Sequence, residues 1–218
     1  MDGKEASLVP GKEHYDSAYL GADFVRMFSY QKQIAMAVRD LKPKRVLVGG
    51  VGDGLVVDAL RRGGIEVITL DICEELNPDL VANVSCIPLP DRSVNVAICC
   101  QVLEHIPFDK INAAMQELGR VASNRIIVSV PDQRRYIGGR LSIFGRKYAF
   151  ELSPPRFRGL TFESWRLETM GHYWEVGFRE WPVSVVKRAL GLAGWSAPRL
   201  QRVPDLPWHL FAELNRNA

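Results

Sequence analysis

The stretch RVLVGGVGDGLVVDAL, Arg45 to Leu60, constrains this chain more than any other. Its apolar run Val46 to Val48 is long enough for a buried strand. Gly49, Gly50, Gly52 and Gly54 then turn the chain, and Leu55 to Leu60 leaves as a helix with its apolar residues on one face. Glycine removes the Cβ atoms that bar close approach, and a helix N-terminus presents unpaired N–H groups. Strand, glycine turn and helix in this order form a nucleotide-cofactor site. Seventeen residues after Gly54 a second apolar run, Val67 to Leu70, ends in Asp71, an acidic side chain placed to accept hydrogen bonds from ribose hydroxyls.

Glycine spacing separates the cofactor classes. A dinucleotide fingerprint, G-x-G-x-x-G counted from Gly50, needs glycine where Leu55 stands. The pattern present is G-x-G-x-G, which resembles the first motif of class I S-adenosylmethionine-dependent methyltransferases. CIPLPDRSVNVAICCQVLEHI, Cys86 to Ile106, resembles the "LPF-D-SFD-V…LEH" block of the small type 11-like members. The resemblance implies an α/β, Rossmann-like, doubly wound sheet of seven strands, ordered 3-2-1-4-5-7-6 with strand 7 antiparallel. It implies S-adenosyl-L-methionine as cofactor, its methionine part cradled by Gly50, Gly52 and Gly54. Asp71 then takes the ribose hydroxyls and Ile72 packs on the adenine face. Asn83 stands where relatives carry an aspartate facing the adenine amino group, and its amide oxygen accepts the same bond without charge. Val84 beside it and Gln101 after strand 4 complete the cofactor set.

Two positions depart from the family pattern. Val48 replaces an acidic residue two before Gly50, and S-F-D before strand 4 reads Ser93-Val94-Asn95. Loss of two acidic groups implies weaker binding of a cationic sulfonium. It leaves a catalytically silent, cofactor-binding scaffold as the alternative to an enzyme.

The chain otherwise alternates strand and helix, the pattern of a parallel sheet covered on both faces. A lead-in of about 20 residues, with Tyr15 and Tyr19 available near the methionine end, precedes an amphipathic helix from Phe24 to Leu41. Strands are expected at Ile65 to Leu70, Leu80 to Val84, Val94 to Cys100 and Arg125 to Val130, with a helix over Phe108 to Val121. Trp181 to Leu192 reads as a helix with Pro182 in its first turn. Pro198 to Val203 and Trp208 to Leu214 read as an antiparallel pair on the sheet edge. With no internal repeat or linker, residues 1–218 read as a single domain.

Residues 132–180 break the alternation and read as an insertion after strand 5, where small methyltransferases place acceptor-binding elements or a lid. Seven basic residues between Asp132 and Arg158 face two acidic ones, a local excess of +5 in a chain of net +3. That charge suits an anionic small-molecule, glycan or lipid-linked acceptor, with Arg134 and Arg135 nearest strand 5. RNA is a further reading of the same charge, but no nucleic-acid module is recognisable, and nucleic acid is not the expected partner. Within GHYWEVG, His172 and Glu175 lie three apart and Trp174 offers a stacking surface. His105 emerges after strand 4, so His105 and His172 are the candidate bases and Trp174 a candidate acceptor contact. Methyl transfer from a sulfonium also proceeds on alignment alone, without a base.

No apolar run approaches a membrane span, and the polar start MDGKEASLVPGKEHYD lacks a signal core. The four cysteines show no metal-ligand spacing and read as reduced thiols used as small apolar residues. Both points suit a cytoplasmic protein. The sequence leaves no metal ligand set and no oligomeric state to be read from spacing.

Overall fold

Runs of β-branched residues bounded by glycine and proline set the strands, and in the computed structural model they lie side by side. It describes residues 26–152, 154 and 160–217; Tyr15, Tyr19 and Phe24 lie outside them. The strands are β1 (Arg45–Gly49), β2 (Glu66–Asp71), β3 (Leu80–Val81), β4 (Val94–Cys100) and β5 (Ala122–Pro131). They continue with β6 (Ile137–Ile143), β7 (Arg146–Leu152), β8 (Arg199–Val203) and β9 (Leu206–Asn215). Helices are α1 (Arg26–Val38), α2 (Leu55–Arg62), α3 (Ile111–Val121), α4 (Trp165–Met170) and α5 (Val183–Ala189).

Seven strands form one sheet in the order β3-β2-β1-β4-β5-β9-β8. β1 pairs in parallel with β2 and β4, β4 with β5, and β9 runs antiparallel to β5. With β8 and β9 in the places of strands 6 and 7, this is the expected order and the expected antiparallel strand. The pleat sends alternate residues to opposite faces. Leu47, Ala97, Ile126 and Val128 join one core cluster with Ile111, Met115 and Leu118 of α3 and Val186 of α5. Val46, Val48, Ile98 and Ile127 face the other way, onto Met36 and Ala37 of α1 and Val56, Val57 and Leu60 of α2. Two helical layers therefore enclose the sheet.

Element ends differ from the sequence reading in ways that packing explains. β5 starts at Ala122, directly after α3, because its first residues pair with Val94 across a register shift. β3 shrinks to two residues, since Asp79 and Thr69 replace further ladder bonds: Thr69 donates from its N–H and hydroxyl to Asp79 Oδ2, each at 2.8 Å. The loop between β3 and β4 is fastened by Arg120 of α3, which donates to the carbonyls of Ile87 and Leu89 and to Asp91.

The expected insertion has two unlike halves. Its first is a separate β6–β7 ribbon, turning at Phe144-Gly145, both residues with positive φ (49° and 76°). The apolar side chains of Ile137, Leu141, Phe144, Tyr148 and Phe150 on it are exposed. Its second half, residues 171–178, is built into the core rather than laid over it. Val176 N–H donates to the Pro131 carbonyl, Gln133 N–H to the Val176 carbonyl, and Tyr173 N–H to the Glu104 carbonyl.

Candidate functional site

At the carboxyl ends of β1 and β2 the glycine loop closes on the acidic residue that ends β2. Gly50, Gly52 and Gly54 have φ of 81°, 57° and 79°, a region closed to most L side chains. Gly50 N–H donates to the Leu70 carbonyl at 2.8 Å, which ties the loop to β2. Asp71 accepts from Val51 N–H through Oδ2 and from Cys73 N–H through Oδ1, both at 2.9 Å. Each carboxylate oxygen keeps capacity for a further donor. Ile72, directly after it, is half exposed with its apolar side chain uncovered. Open space lies over Gly54, where an added Cβ meets no atom within 4 Å. Backbone cradle, acidic edge and uncovered apolar side chain together fit an adenosyl cofactor.

Asn83 and Val84 follow β3 on the same side. Asn83 does not offer the free amide oxygen expected of it, because that oxygen already accepts from Ser85 N–H (2.9 Å) and Ser85 hydroxyl (2.8 Å). Its amide nitrogen is the group left to face a ligand, as a donor. Val84 is buried and contributes packing below. Gln101, at the end of β4 with φ 56°, donates from its backbone to the Ser129 carbonyl and from its side chain to Ser129 Oγ.

The two departures from the resembled pattern take different places. Val48 is a core residue on the α1/α2 face. Asn95 sits near the start of β4, at the opposite edge of the sheet, where Oδ1 accepts from the backbone of Lys44 (2.8 Å) and Arg45 (3.0 Å). An amide oxygen serves that purpose as well as a carboxylate. A carboxylate the sequence reading passed over, Asp53, stands inside the loop: it accepts from Leu55 N–H and from the Tyr30 hydroxyl at 2.6 Å. Burial and the neighbouring Asp53 push the Tyr30 phenol well above its ordinary range. α1 thus reaches the glycine loop through the Tyr30–Asp53 bond.

Beyond β4 the chain makes a 3-10 turn, Leu103–His105, and here the structure brings together His105 and His172. Their rings meet edge to face, 4.9 Å between centroids. His105 Nδ1 lies 3.2 Å from the Gly171 carbonyl, which can only accept, so Nδ1 carries the proton and Nε2 is bare. Burial, with the adjacent His172, pushes the His105 imidazole down to about 4. His105 is therefore neutral near pH 7 and a weak proton acceptor, against the expectation of a general base. His172 Nδ1 lies 2.7 Å from Glu175 Oε1, and Arg166 donates to both oxygens of Glu175 at 2.9 and 3.0 Å. Burial raises the Glu175 carboxyl, but the His172 bond and the Arg166 charge outweigh it and hold the group below its ordinary range. Glu104 is 1% exposed, and neither of its carboxylate oxygens has a partner among the described residues. Burial raises it to about 8.

Trp174 is not an acceptor contact: it is 0% exposed, and its Nε1–H donates to the carbonyls of Leu103 (3.1 Å) and Ile106 (3.0 Å). It stands edge to face on Phe108 and fixes the turn that carries Glu104 and His105. Arg134 is likewise engaged, its guanidinium donating to both oxygens of buried Asp132, which also accepts from Arg202. Arg135 is exposed. Four of the seven basic residues, Arg140, Lys147, Arg156 and Arg158, have side chains outside the described set.

Residues 47–125 match a family model described as a methyltransferase domain. No curated protein matches the chain. Among solved structures it is similar to magnesium protoporphyrin IX methyltransferase from Synechocystis PCC 6803 with bound SAM. That likeness is at 18% identity and TM-score 0.56, over 90% of this chain and 86% of that one. It is also similar to 1,6-didemethyltoxoflavin-N1-methyltransferase from Burkholderia thailandensis, at 15% identity and TM-score 0.56, over 87% and 79%. A third is the N-methyltransferase NodS from Bradyrhizobium japonicum WM9, at 7% identity and TM-score 0.57, over 89% of each chain.

Proposed function

We propose that this chain is a class I S-adenosylmethionine-dependent methyltransferase and acts on a small-molecule or glycan- or lipid-linked acceptor, received between residues 132–180 and the carboxyl ends of β4 and β5. The observation that carries the reading is the meeting of His105 and His172 beyond β4, one from the sheet and one from the insertion. The cofactor, when bound, supplies an activated methyl group on a sulfonium.

The protein's own groups then have separate tasks. Gly50, Gly52 and Gly54 let the backbone approach closely, and Asp71 accepts from the ribose hydroxyls. Ile72 covers the adenine, and Asn83 donates to a ring nitrogen from its free amide end. Gln101, held by Ser129, borders the path from cofactor to acceptor. His172, its Nδ1 bonded to Glu175, is the candidate base, and His105, its Nδ1 on the Gly171 carbonyl, turns Nε2 to the nucleophile as a hydrogen-bond acceptor. Alignment of nucleophile with methyl and sulfur supplies much of the rate in such a site. Arg135, exposed beside the opening, is the cation for an anionic acceptor. Neighbours that act on a porphyrin or on a toxoflavin precursor support a small acceptor. A small RNA methyltransferase is also similar, but this chain spans 26% of its length, and nothing described here adds an RNA module. The four cysteines, all unpaired, and the lack of a described helix able to cross a membrane support action in the cytoplasm.

Calorimetry with S-adenosylhomocysteine on Asp71→Ala and Asn83→Ala tests the cofactor half. Asp71 makes charge-assisted bonds worth about 1.5–3 kcal/mol each, so its loss should weaken binding at least tenfold. Asn83, already turned toward Ser85, should cost less. Equal losses would mean that Asp71 does not hold the ribose. Turnover lost in His172→Ala with cofactor affinity retained would support the acceptor half.

A further inference from the structure

We propose that Glu104, His105 and His172 bind a divalent first-row transition-metal ion, with Glu175 and the Gly171 carbonyl as the outer partners that fix the two imidazoles. One ligand atom from each of the three residues lies within 4.8 Å of the others. With metal bonds of about 2.0–2.2 Å, tetrahedral ligand atoms stand about 3.3–3.6 Å apart, so the widest pair closes by about 1–1.5 Å, a side-chain rotation rather than a backbone movement.

Three independent features point the same way. The Glu104 carboxyl is taken out of water with neither oxygen bonded among the described residues, an arrangement that costs free energy unless a cation or donor arrives. Protonation does not mend this, because a carboxyl O–H also needs an acceptor. Next, both imidazoles have Nδ1 engaged with an acceptor, the Gly171 carbonyl for His105 and the Glu175 carboxylate for His172. That leaves both Nε2 lone pairs as ligands, and a carboxylate or carbonyl behind each ring is the usual outer support of a metal-bound histidine. Finally, Arg166 already balances Glu175, so the one carboxylate in the cluster without a cation is Glu104. Two imidazoles and one carboxylate suit Zn²⁺, Fe²⁺, Co²⁺ or Mn²⁺ better than Mg²⁺ or Ca²⁺, which prefer oxygen throughout.

Such an ion keeps coordination positions for water or an acceptor oxygen, whose proton it makes easier to lose. That use rests on the acceptor position proposed above; the metal site itself does not. The three ligands come from separate places, the turn after β4 and the segment after α4. An ion would therefore cross-link the insertion to the sheet.

The test uses the whole chain, stripped by chelation and dialysed separately against Zn²⁺, Mn²⁺ and Co²⁺. Elemental analysis should find about one equivalent in the parent protein and below about 0.2 in Glu104→Gln and in His172→Ala. Cys86→Ser, which removes an exposed thiol, should bind like the parent. The Co²⁺ form of the parent should show d–d absorption without a thiolate charge-transfer band, a readout that holds even if a variant fails to fold. Failure of the folded parent to bind any of the three ions, binding that survives both substitutions, or a thiolate band would each overturn the proposal. Calorimetry with S-adenosylhomocysteine on the same parent sample separates this failure from a failure of the methyltransferase reading.

Discussion

Replacing Gly50 by alanine should destabilise the protein far more than the same change at Gly54, although both glycines lie in one loop with nearly equal φ. The backbone cost is common to both: a left-handed conformation costs an L-residue about 1–2 kcal/mol. At Gly54 nothing else is added, since the new Cβ meets no atom within 4 Å. At Gly50 the Cβ falls 2.3 Å from Val102 Cγ2, inside any tolerable contact. Val102 is β-branched and stiff about χ1, so it cannot swing away cheaply. The backbone cannot recede without straining the Gly50 N–H bond to the Leu70 carbonyl. Overpacking of this kind costs about 1–3 kcal/mol, which puts Gly50→Ala at about 2–5 kcal/mol in all. Urea denaturation of Gly50→Ala, Gly54→Ala, Val102→Ala and the double variant Gly50→Ala/Val102→Ala completes a double-mutant cycle. The double variant should recover most of the clash, with a coupling above about 1 kcal/mol. Gly50→Ala and Gly54→Ala equal to within about 0.5 kcal/mol, or no coupling to Val102, would refute the reasoning.

Trp174→Phe should lose about 1–3 kcal/mol of stability, because the Ile106 carbonyl loses its indole donor while that of Leu103 keeps the Ile106 N–H; a denaturation midpoint equal to the parent's would show that water replaces the indole. Glu117→Gln should lower the melting temperature at neutral pH. The bond from Arg120 holds the Glu117 carboxyl below its ordinary range, so its contribution is present above the unfolded value and fades as pH falls through the folded one. The gap between parent and variant should thus close on acidification, and a gap that widens would contradict the assignment. Asn95→Asp, which places there the acidic residue of the resembled pattern, should leave affinity for S-adenosylhomocysteine within about twofold by calorimetry, since the site lies at the other end of β4.

The shape of the glycine loop and the acid that closes it were legible because their signals are local. Glycines at 50, 52 and 54 and the acid at 71 each mark a turn or a strand end that the flanking residues already define. The sheet order followed from family resemblance and the strand alternation from the residues themselves. What Asn83 bonds was not legible, since a turn with Ser85 and a bond to adenine use the same amide. Trp174 was misread as a contact because an aromatic beside a histidine looks alike whether it faces a ligand or a core; its burial depends on the bond from Tyr173 to Glu104, about 70 residues apart. Glu104 drew no notice beside His105, because nothing in a sequence marks a carboxylate as unpartnered. The β6–β7 ribbon did carry a signal, alternating residues on either side of Phe144-Gly145, but that pair is not a usual hairpin turn.

The last strand also decides when the first helix can settle. Glu213 of β9, fully buried, receives Arg39 at the end of α1 through bonds of 2.6 and 2.7 Å, and Arg125 nearby donates to the carbonyls of Met36 and Arg39. Arg216 donates in turn to the carbonyls of Gly119 and Ala122, closing the end of α3. A ribosome delivers the glycine loop some 150 residues before these clamps, at about 5–20 residues per second, so the growing chain waits about ten seconds or longer with its cofactor residues made and its two helical layers unlatched. A chain cut short before Glu213 carries the whole glycine motif without the Glu213 and Arg216 clamps, and leaves the apolar edge of β5 unpaired.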